Sequence, residues 1–285
     1  MGTQVLGSTS GPANNNAYVY EAYSDGDIFK ANSAATAPVE LYIDQVYIYC
    51  GSYSGTQYMQ FAVYDAGGDG GNLLGGTPNS GPYGVGYGWN HGAFGQGSFV
   101  HIASGGKVSA AVYAANNIQT AGLQNGGSFW FHNGGWPSPF SGSQITGLGD
   151  LAWYVTYFPA ASISGLSTSV TPPGSQFTVS GQSFSAGVTA VSVGGVACPS
   201  WTVNSDTSLT VTAPSQGVTG QVQVVTYAGT ATSSGSLTVG QVWDNPGSGT
   251  VSAPIAVWTN PGGAGVKEIV AIWVSNGSGG VKRIW

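Results

Sequence analysis

The sequence carries very little charge. Of its 285 residues, 5 are Lys or Arg and 11 are Asp or Glu, whereas about a quarter of the residues in an ordinary globular domain are charged. The first 240 residues contain two basic residues, Lys30 and Lys107, and binding to nucleic-acid phosphates needs clustered Lys and Arg. Long amphipathic helices need Leu, Glu, Lys and Arg to fill their faces. The scarcity of these residues excludes nucleic-acid binding as the main function and a mostly helical fold.

Long apolar runs and cysteines are scarce as well. No stretch of about 18 consecutive apolar residues is present, so no membrane-spanning helix is predicted, and the N-terminal residues lack the basic and apolar segments of a secretory signal. Cys50 and Cys198 fall in what we predict to be separate domains, which argues against an intrachain disulfide. The sequence does have 48 Gly, 14 Pro and 41% hydrophobic residues. An all-β chain with a buried core and many tight turns is therefore predicted.

Residues 1–158 contain runs in which apolar residues alternate with polar ones, as half-buried antiparallel strands require. Val39, Leu41, Ile43, Val46 and Ile48 form one such series. The predicted strands cover residues 17–23, 39–50, 58–65, 98–103, 107–114, 127–132 and 151–158. Clusters of Gly, Asn, Ser and Pro lie between them and are typical of turns. We predict that this segment is one β-sandwich of jelly-roll type.

Residues 159–239 contain a single acid, Asp206, and neither Lys nor Arg. Strand-like runs recur there at intervals of roughly 8–12 residues, as in a small sandwich. After Ile163 and Leu166 come TPPG at 171–174, VSGQSF at 179–184, VSVGGV at 191–196 and DTSLTVTAP at 206–214. This order of motifs resembles the IPT/TIG family of immunoglobulin-like domains. The resemblance implies an Ig-like sandwich that serves as a spacer or interaction module, without the charged loop residues of DNA-binding members.

Residues 240–285 contain a repeat of 15 residues. Each unit has an apolar residue before a Trp and then a Gly-rich turn, with the tryptophans at Trp243, Trp258 and Trp273. So short a unit cannot bury its own indole, so the repeats must stack on each other or on other chains. We predict that this segment forms small hairpins and that Trp243, Trp258, Trp273, Trp285, Lys282 and Arg283 mediate assembly. The ending GVKRIW resembles the ends of phage tail and fibre proteins.

Two aromatic clusters are candidates for ligand binding. The first is residues 129–140, in which strand alternation places Phe129 and Phe131 on one face and Trp130 and His132 on the other. The second is the predicted loop at residues 83–91. Apolar sugar faces stack on aromatic rings while Asn and His bind hydroxyls. The residues predicted to contact a neutral glycan are Trp89, Asn90, His91, Trp130, His132 and Trp136. The alternative is that these aromatic residues fill the core or a subunit interface.

The Gly-rich run at residues 64–74 offers a candidate metal site. Asp65, Asp69 and Asn72 supply oxygen atoms on a flexible loop, which are the ligands that Ca²⁺ prefers. The run lacks the alternating acids and the closing Glu of an EF-hand. It is also similar to a run that joins two strands without metal in jelly-roll families. Both a calcium site and a structural turn are therefore open. The two Cys and three His residues have no zinc spacing.

No catalytic motif is apparent in the sequence. The chain has no G-x-S-x-G elbow, and no His–acid pair that would activate a serine follows from local sequence. Glu21, Asp25, Asp27, Glu40 and Asp44 are candidates for a carboxylate pair of the kind used in glycoside hydrolysis. However, the sequence around Asp25 and Asp27 is typical of a turn. We therefore predict that the protein is not an enzyme and that it holds no cofactor apart from the candidate Ca²⁺.

These observations favour a structural and binding protein of a phage virion, as a minor tail or fibre component. It would be made in the cytoplasm and reach the outside within the particle. Its expected partners are other virion proteins, sister chains in a homo-oligomer such as a trimer, and a host surface polysaccharide, with no nucleic acid and no membrane insertion. The alternatives are a capsid decoration protein, an ancillary binding region of a secreted bacterial glycoside hydrolase, or a hydrolase on a sandwich fold.

Overall fold

The structure is a computed structural model, and it describes residues 4–9, 19–21, 27–52, 57–78, 80–83, 86–114, 118–123, 128–146, 149–240, 273–275 and 281–283. The chain divides into two compact units, one made of Met1–Ala161 with Tyr227–Gly229, and the other of Ser162–Thr226 with Thr230–Trp285. Among the described residues, no helix is long and apolar enough to cross a membrane. The predicted boundaries of three domains stay a prediction.

The regular secondary structure of the described residues consists of strands and one short 3-10 turn at Phe184–Ala186. In the first unit the strands are β1 (Gln4–Gly7), β2 (Val19–Glu21), β3 (Asp27–Ala31), β4 (Ala35–Thr36), β5 (Leu41–Ser52), β6 (Gln57–Tyr64), β7 (Leu73–Gly76), β8 (Ser80–Tyr83), β9 (Gly86–Ala93), β10 (Val100–Ile102), β11 (Lys107–Ala114), β12 (Ile118–Leu123), β13 (Ser128–Asn133), β14 (Ser143–Thr146), β15 (Asp150–Leu151) and β16 (Trp153–Pro159). The second unit has β17 (Ser162–Leu166), β18 (Val170–Thr171), β19 (Gln176–Gln182), β20 (Val188–Val193), β21 (Val196–Ala197), β22 (Ser200–Ser205), β23 (Ser208–Thr212), β24 (Val218–Thr226), β25 (Gly229–Val239), β26 (Trp273–Ser275) and β27 (Val281–Arg283).

The first unit is a sandwich of two sheets. The first sheet has the order β1-β16-β5-β12-β15, with β9 and β10 also paired to β5 and β2 paired to β12. The second sheet has the order β14-β13-β3-β11-β6-β7, with β4 paired to β11 and β8 paired to β6. Their facing sides share one apolar core, in which Val46 and Ile48 of the first sheet belong to the same cluster as Phe29 and Phe61 of the second. The prediction of an all-β sandwich is confirmed.

A β-bulge explains the apolar pattern of β5. Leu41 and Ile43 are at odd positions and Val46 and Ile48 at even ones, and yet all four side chains are fully buried. The register with β16 shifts between Thr156 and Tyr157, so β5 has one extra residue at this point. The extra residue reverses the alternation and keeps both halves of the strand facing the core. Val39, which we placed in this series, lies before the strand and is 44% exposed.

The second unit is a smaller sandwich with its own core. One sheet has the order β17-β19-β23-β22 and the other β18-β25-β24-β20-β21, in which β18 and β25 pair in parallel. Phe184, Val179, Leu209 and Val224 lie fully buried between the sheets. Asp206 accepts backbone hydrogen bonds from Ser183 and Ser185 at the short 3-10 turn. The one acid of this segment therefore has a structural role.

The C-terminal segment is described over one hairpin. Strands β26 and β27 pair antiparallel, with Trp273 opposite Arg283 and Val274 opposite Lys282. Trp243, Trp258 and Trp285 lie outside the described residues, so the predicted stacking of the repeats stays a prediction.

Both cysteines, Cys50 and Cys198, are buried free thiols.

Most of the predicted strands in the first unit are present, with one clear error. Residues 107–114 are a strand with the predicted bounds, and the run predicted at 58–65 is β6 (Gln57–Tyr64). Residues 83–91 were predicted as a loop because of their glycines, but most of them belong to β9 (Gly86–Ala93). Eight residues of β9 pair with β5, from Gly86 opposite Ser52 to Ala93 opposite Gln45. This pairing overrides the weak strand propensity of glycine.

Candidate functional site

The outer face of the first sheet carries a row of three stacked rings. Tyr47 of β5 lies directly opposite His91 of β9 on one side and Tyr154 of β16 on the other. The ring centroids of Tyr47 and Tyr154 are 4.3 Å apart with planes 10° from parallel, and those of Tyr47 and His91 are 4.8 Å apart at 22°. This row stands on the sheet because odd-numbered residues of β5 beyond the bulge face outward.

The indole of Trp89 lies across this row. Trp89 is opposite Tyr49 in the register, and their rings meet edge to face at 5.4 Å. Its ring also lies 4.8 Å from that of Tyr154, which belongs to a strand two positions away, at 67° between the planes. The indole must therefore extend over β5 to reach β16. Tyr47, Tyr49, Trp89, His91 and Tyr154 together form what we call the tyrosine face.

The tyrosine face has no strongly charged side chain. None of its five residues bears a carboxylate, an ammonium or a guanidinium group, and the neighbouring Gln45 accepts a hydrogen bond from the Tyr47 hydroxyl. The nearest acid along β5 is Asp44, which is 4% exposed and accepts a hydrogen bond from Thr156 Oγ1 at 2.6 Å. Burial raises the pKa of Tyr154 above its usual value, so its hydroxyl stays protonated and neutral at pH 7.

Asn90 does not join the tyrosine face. Asn90 lies between Trp89 and His91 on the same strand, and successive side chains of a strand point to opposite faces. Its side chain therefore lies on the other side of the sheet. There its amide donates to the carbonyl oxygen of Cys50 and to Cys50 Sγ, the latter at 3.6 Å. Burial raises the pKa of the Cys50 thiol to about 12, against the opposing effect of the Asn90 hydrogen bond. Of the three residues predicted in this stretch, the structure thus brings Trp89 and His91 together and separates Asn90 from them.

The other predicted ligand residues lie on the outer face of the second sheet. Phe129 and Phe131 of β13 pack into the core between the sheets, whereas Trp130 and His132 point outward, as the alternation predicted. Trp130 Nε1 donates to Asn32 Oδ1 at 3.0 Å, and His132 Nδ1 lies 2.6 Å from the carbonyl oxygen of Ser141. The two sets of predicted ligand residues therefore belong to opposite faces of one sandwich.

Trp136 lies in the loop after β13 and packs onto the second sheet. Its ring centroid is 6.0 Å from that of Tyr113 and 6.5 Å from that of Tyr64, and its Nε1 lies 3.4 Å from Gln60 Oε1. A Cβ added to Gly76 would lie 3.8 Å from Trp136 Nε1, and Gly76 pairs with Ala62 on the adjacent strand. Gly76 and Ala62 have little or no side chain, and they thus leave room for the Trp136 indole on the sheet.

A buried lysine organises the Gly-rich loop at residues 65–72. Lys30 is fully buried, and its Nζ donates to the carbonyl oxygens of Gly68 at 2.7 Å and Gly70 at 2.9 Å. The same ammonium lies 4.9 Å from the ring centroid of Tyr64 and 4.8 Å from that of Phe140. Burial lowers the pKa of Lys30 to about 8, although the charges of Asp65 and Asp69 act in the opposite direction.

The calcium site predicted at Asp65, Asp69 and Asn72 stays a prediction. Both carboxylate oxygens of Asp65 already accept hydrogen bonds from Asn72, at 2.6 Å from the backbone and 2.9 Å from the side-chain amide. Within the described residues, no group of three or more His, Cys, Asp or Glu side chains is placed to hold a metal ion. The cation that this loop does hold is the ammonium of Lys30.

A cleft and a His–acid pair are candidates for reactive sites in the first unit. The cleft has a volume of about 190 Å³, and its lining residues have no group that titrates near neutral pH: Gly7, Ser8, Ser33, Ala34, Ala35, Leu151 and Trp153. His101 Nε2 lies 2.8 Å from Glu40 Oε1, with both side chains 51% exposed, and the imidazole packs on Tyr42 at 4.8 Å. This pair lies on the surface and does not line the cleft. None of the residues that line the cleft could therefore act as a general acid or base.

The sequence interpretation missed Tyr47, Tyr49, Tyr154 and Lys30. The tyrosines occupy the outward positions of strands whose buried positions were recognised, and an aromatic residue where a polar one is expected was the available signal. Lys30 was visible as one of the two basic residues in the first 240. Its burial depends on two loops distant in sequence and has no local signal.

Comparison with known proteins identifies part of the chain. Residues 161–239 match the IPT/TIG domain family, which confirms the predicted Ig-like domain. No curated protein matches the chain. A solved structure described as holding a xylogluco-oligosaccharide is 15% identical, with 73% of this chain and 39% of that chain covered and a TM-score of 0.29.

SGBP-B from a complex xyloglucan utilization locus in Bacteroides uniformis is 20% identical, with coverages of 71% and 47% and a TM-score of 0.25. The chain thus spans less than half the length of either protein. At these scores neither likeness carries an inference about this chain. No comparison supports the predicted phage origin.

Proposed function

We propose that the protein is a non-catalytic carbohydrate-binding protein whose first unit holds a neutral polysaccharide on the tyrosine face. The observation that carries this proposal is a set of five rings on an outer sheet face, with no strongly charged group among them. The C–H faces of sugar rings pack against aromatic side chains, and sugar hydroxyls pair with neutral donors and acceptors. The tyrosine face offers both kinds of contact side by side.

The arrangement of the rings indicates where a sugar would stack. Tyr47 has a ring on each side, at 4.3 and 4.8 Å, so both of its faces are covered. Trp89 lies at 67° to Tyr154 and 86° to Tyr49, so it meets these rings by their edges. Its outward indole face is therefore the main stacking surface in this proposal. The Tyr47 and Tyr154 hydroxyls and Gln45 are the groups that would bind sugar hydroxyls.

Affinity electrophoresis tests the proposal. The protein would be run through native gels containing xyloglucan, galactomannan or mixed-linkage β-glucan, and through gels containing polygalacturonate as a charged polysaccharide. We expect retardation by at least one neutral polysaccharide and none by polygalacturonate. We expect Trp89→Ala to weaken that binding about tenfold or more, which corresponds to about 1.4 kcal/mol of lost contact.

Val39→Ala is the control, because Val39 is a 44% exposed apolar residue of the same unit and does not belong to the tyrosine face. Size-exclusion chromatography with light scattering would accompany each variant, because Tyr and Trp are also enriched at subunit interfaces. If no neutral polysaccharide retards the wild type, or if Trp89→Ala changes the oligomeric state and leaves retardation unaltered, the tyrosine face has another role.

Virion membership is a separate proposal, and it rests on the Trp repeats and their resemblance to phage tail endings. In that setting, residues 240–285 would anchor the chain to sister chains or other virion proteins, and the IPT/TIG domain would act as a spacer. Capsid decoration and attachment to a secreted glycoside hydrolase are the other settings for the same binding unit. Mass spectrometry of purified virions distinguishes them, since absence of the protein from the particles would contradict the virion proposal.

A further inference from the structure

The second sheet has an aromatic surface of its own, which consists of Tyr58, Gln60, Tyr113 and Trp136 and which we call the Trp136 face. Met59, Phe61 and Val63 of β6 belong to the core, so the alternate residues of the strand point outward. Gln60 lies opposite Tyr113 in the register, and Tyr58 is the next outward residue along β6.

The rings of the Trp136 face are splayed. The planes of Trp136 and Tyr113 make an angle of 45°, and both side chains are half-buried. In the tyrosine face, by contrast, Tyr47 is enclosed between nearly parallel neighbours. Rings that diverge leave part of their faces uncovered, and Tyr58 is 53% exposed.

Two loops hold Trp136 in place, and Lys30 lies between them. The loop that carries Trp136 is bonded to the Gly-rich loop through Gly70 N to Phe140 O at 2.7 Å and Phe140 N to Gly71 O at 2.8 Å. The Tyr64 hydroxyl also donates to Pro137 O at 3.0 Å, next to Trp136. Lys30 donates hydrogen bonds to two carbonyl oxygens of the Gly-rich loop and contacts the rings of Tyr64 and Phe140. The position of the indole is thus fixed before any ligand arrives.

We propose that the Trp136 face is a second site for a neutral carbohydrate chain, that Lys30 is its positioning residue, and that the first unit therefore binds glycan on two opposite faces. This inference rests on the proposed carbohydrate-binding function. Tyr58, Gln60, Tyr113 and Trp136 bear no charge, so an ionic ligand finds no partner among them. The Gln60 amide, the tyrosine hydroxyls and the indole N–H, whose contact with Gln60 Oε1 is long at 3.4 Å, are available to sugar hydroxyls.

The test measures how many sites each chain has. Isothermal titration of the full chain with a xylogluco-oligosaccharide would be compared for the wild type, Trp89→Ala, Trp136→Ala and the double variant. We expect two binding events per wild-type chain, one for each single variant and none for the double variant. With xyloglucan polymer, a chain with two sites links polymer molecules together. For a chain that is monomeric by size-exclusion chromatography, light scattering should therefore rise for the wild type and stay at baseline for each single variant.

Further variants separate positioning from simple loss of structure. Tyr58→Ser alters the Trp136 face at an exposed position that does not support the fold, and we expect about a fivefold loss at the second site only. Lys30→Met removes both hydrogen bonds to the Gly-rich loop, and we expect the second site to weaken while the Trp89-dependent site keeps its affinity.

A single binding event that Trp89→Ala abolishes, with Trp136→Ala and Tyr58→Ser unaltered, would overturn the second site and leave the proposed function standing. No binding by the wild type to this oligosaccharide, nor to fragments of galactomannan and mixed-linkage β-glucan, would instead count against the proposed function itself. Equal losses at both sites in Lys30→Met would show that the lysine supports the fold as a whole and would overturn its positioning role.

Discussion

Lys30 makes the stability of the first unit depend on pH in an unusual direction. Burial lowers the pKa of its ammonium in the folded protein to about 8, from an ordinary value of 10.5. Between these two pH values the unfolded chain holds a proton that the folded chain has released. Stability rises with pH wherever the unfolded state binds more protons. The destabilising effect of Lys30 is thus fully present below pH 8 and disappears as the pH rises to about 10.5.

The magnitude follows from the two pKa values. One pKa unit corresponds to 1.36 kcal/mol, so this interval gives a change of about 3 kcal/mol in the free energy of unfolding. The variant Lys30→Met keeps a similar apolar stem and has no group that titrates. The difference in unfolding free energy, wild type minus Lys30→Met, should therefore rise by about 3 kcal/mol between pH 7 and pH 10.5. Tyrosines that ionise at high pH are present in both proteins and largely cancel.

The assay is urea unfolding, followed by tryptophan fluorescence, at a series of pH values and constant ionic strength. Lys107→Met replaces an exposed lysine of the same unit and is the control for the loss of a surface positive charge. A Lys30→Met difference that stays constant to within about 0.5 kcal/mol, near the error of the extrapolation, would refute the reasoning. The ammonium would then be as well solvated in the folded protein as in the unfolded chain.

Two further predictions concern packing within each unit. A Cβ at Gly92 would lie 2.3 Å from Thr77 Oγ1, so Gly92→Ala should destabilise the first unit by about 1–3 kcal/mol in urea unfolding. Gly88→Ala, on the same strand with nothing within 4 Å of its Cβ, should be nearly neutral, and equal effects of the two would contradict this account. Phe184 is fully buried in the second unit, so Phe184→Ala should lower that unit's stability by about 3–5 kcal/mol in differential scanning calorimetry. Val203→Ala at a 40% exposed position should change it little, and a comparable loss there would count against the assigned core.

Strands whose pattern is local could be predicted from the sequence. In residues 107–114 every second residue from Val108 to Val112 belongs to the core between the sheets, and the predicted bounds match β11. Strand β9 could not be predicted, because its glycines have weak strand propensity and its stability comes from pairing with β5. The IPT/TIG domain was recognisable because its motifs follow one another in a fixed order along the sequence.

The candidate site was only partly predictable, for a similar reason. Trp89 and Trp136 stood out as aromatic residues near polar ones, but no local feature of the sequence says that they belong to opposite sheets. The tyrosine face exists because the register places Tyr47 between His91 and Tyr154, residues from strands far apart in sequence. Which rings meet is therefore a property of the strand order.

The Lys30 ammonium has a consequence for how the loops respond to their surroundings. A divalent ion in such a loop would come and go with its concentration in solution, and a chelator would remove it. The ammonium is tethered to β3 by its own side chain, so below pH 8 most folded molecules carry one, and neither dilution nor EDTA can extract it. The two hydrogen bonds that the ammonium donates to the Gly-rich loop therefore do not depend on the concentration of any ion in solution.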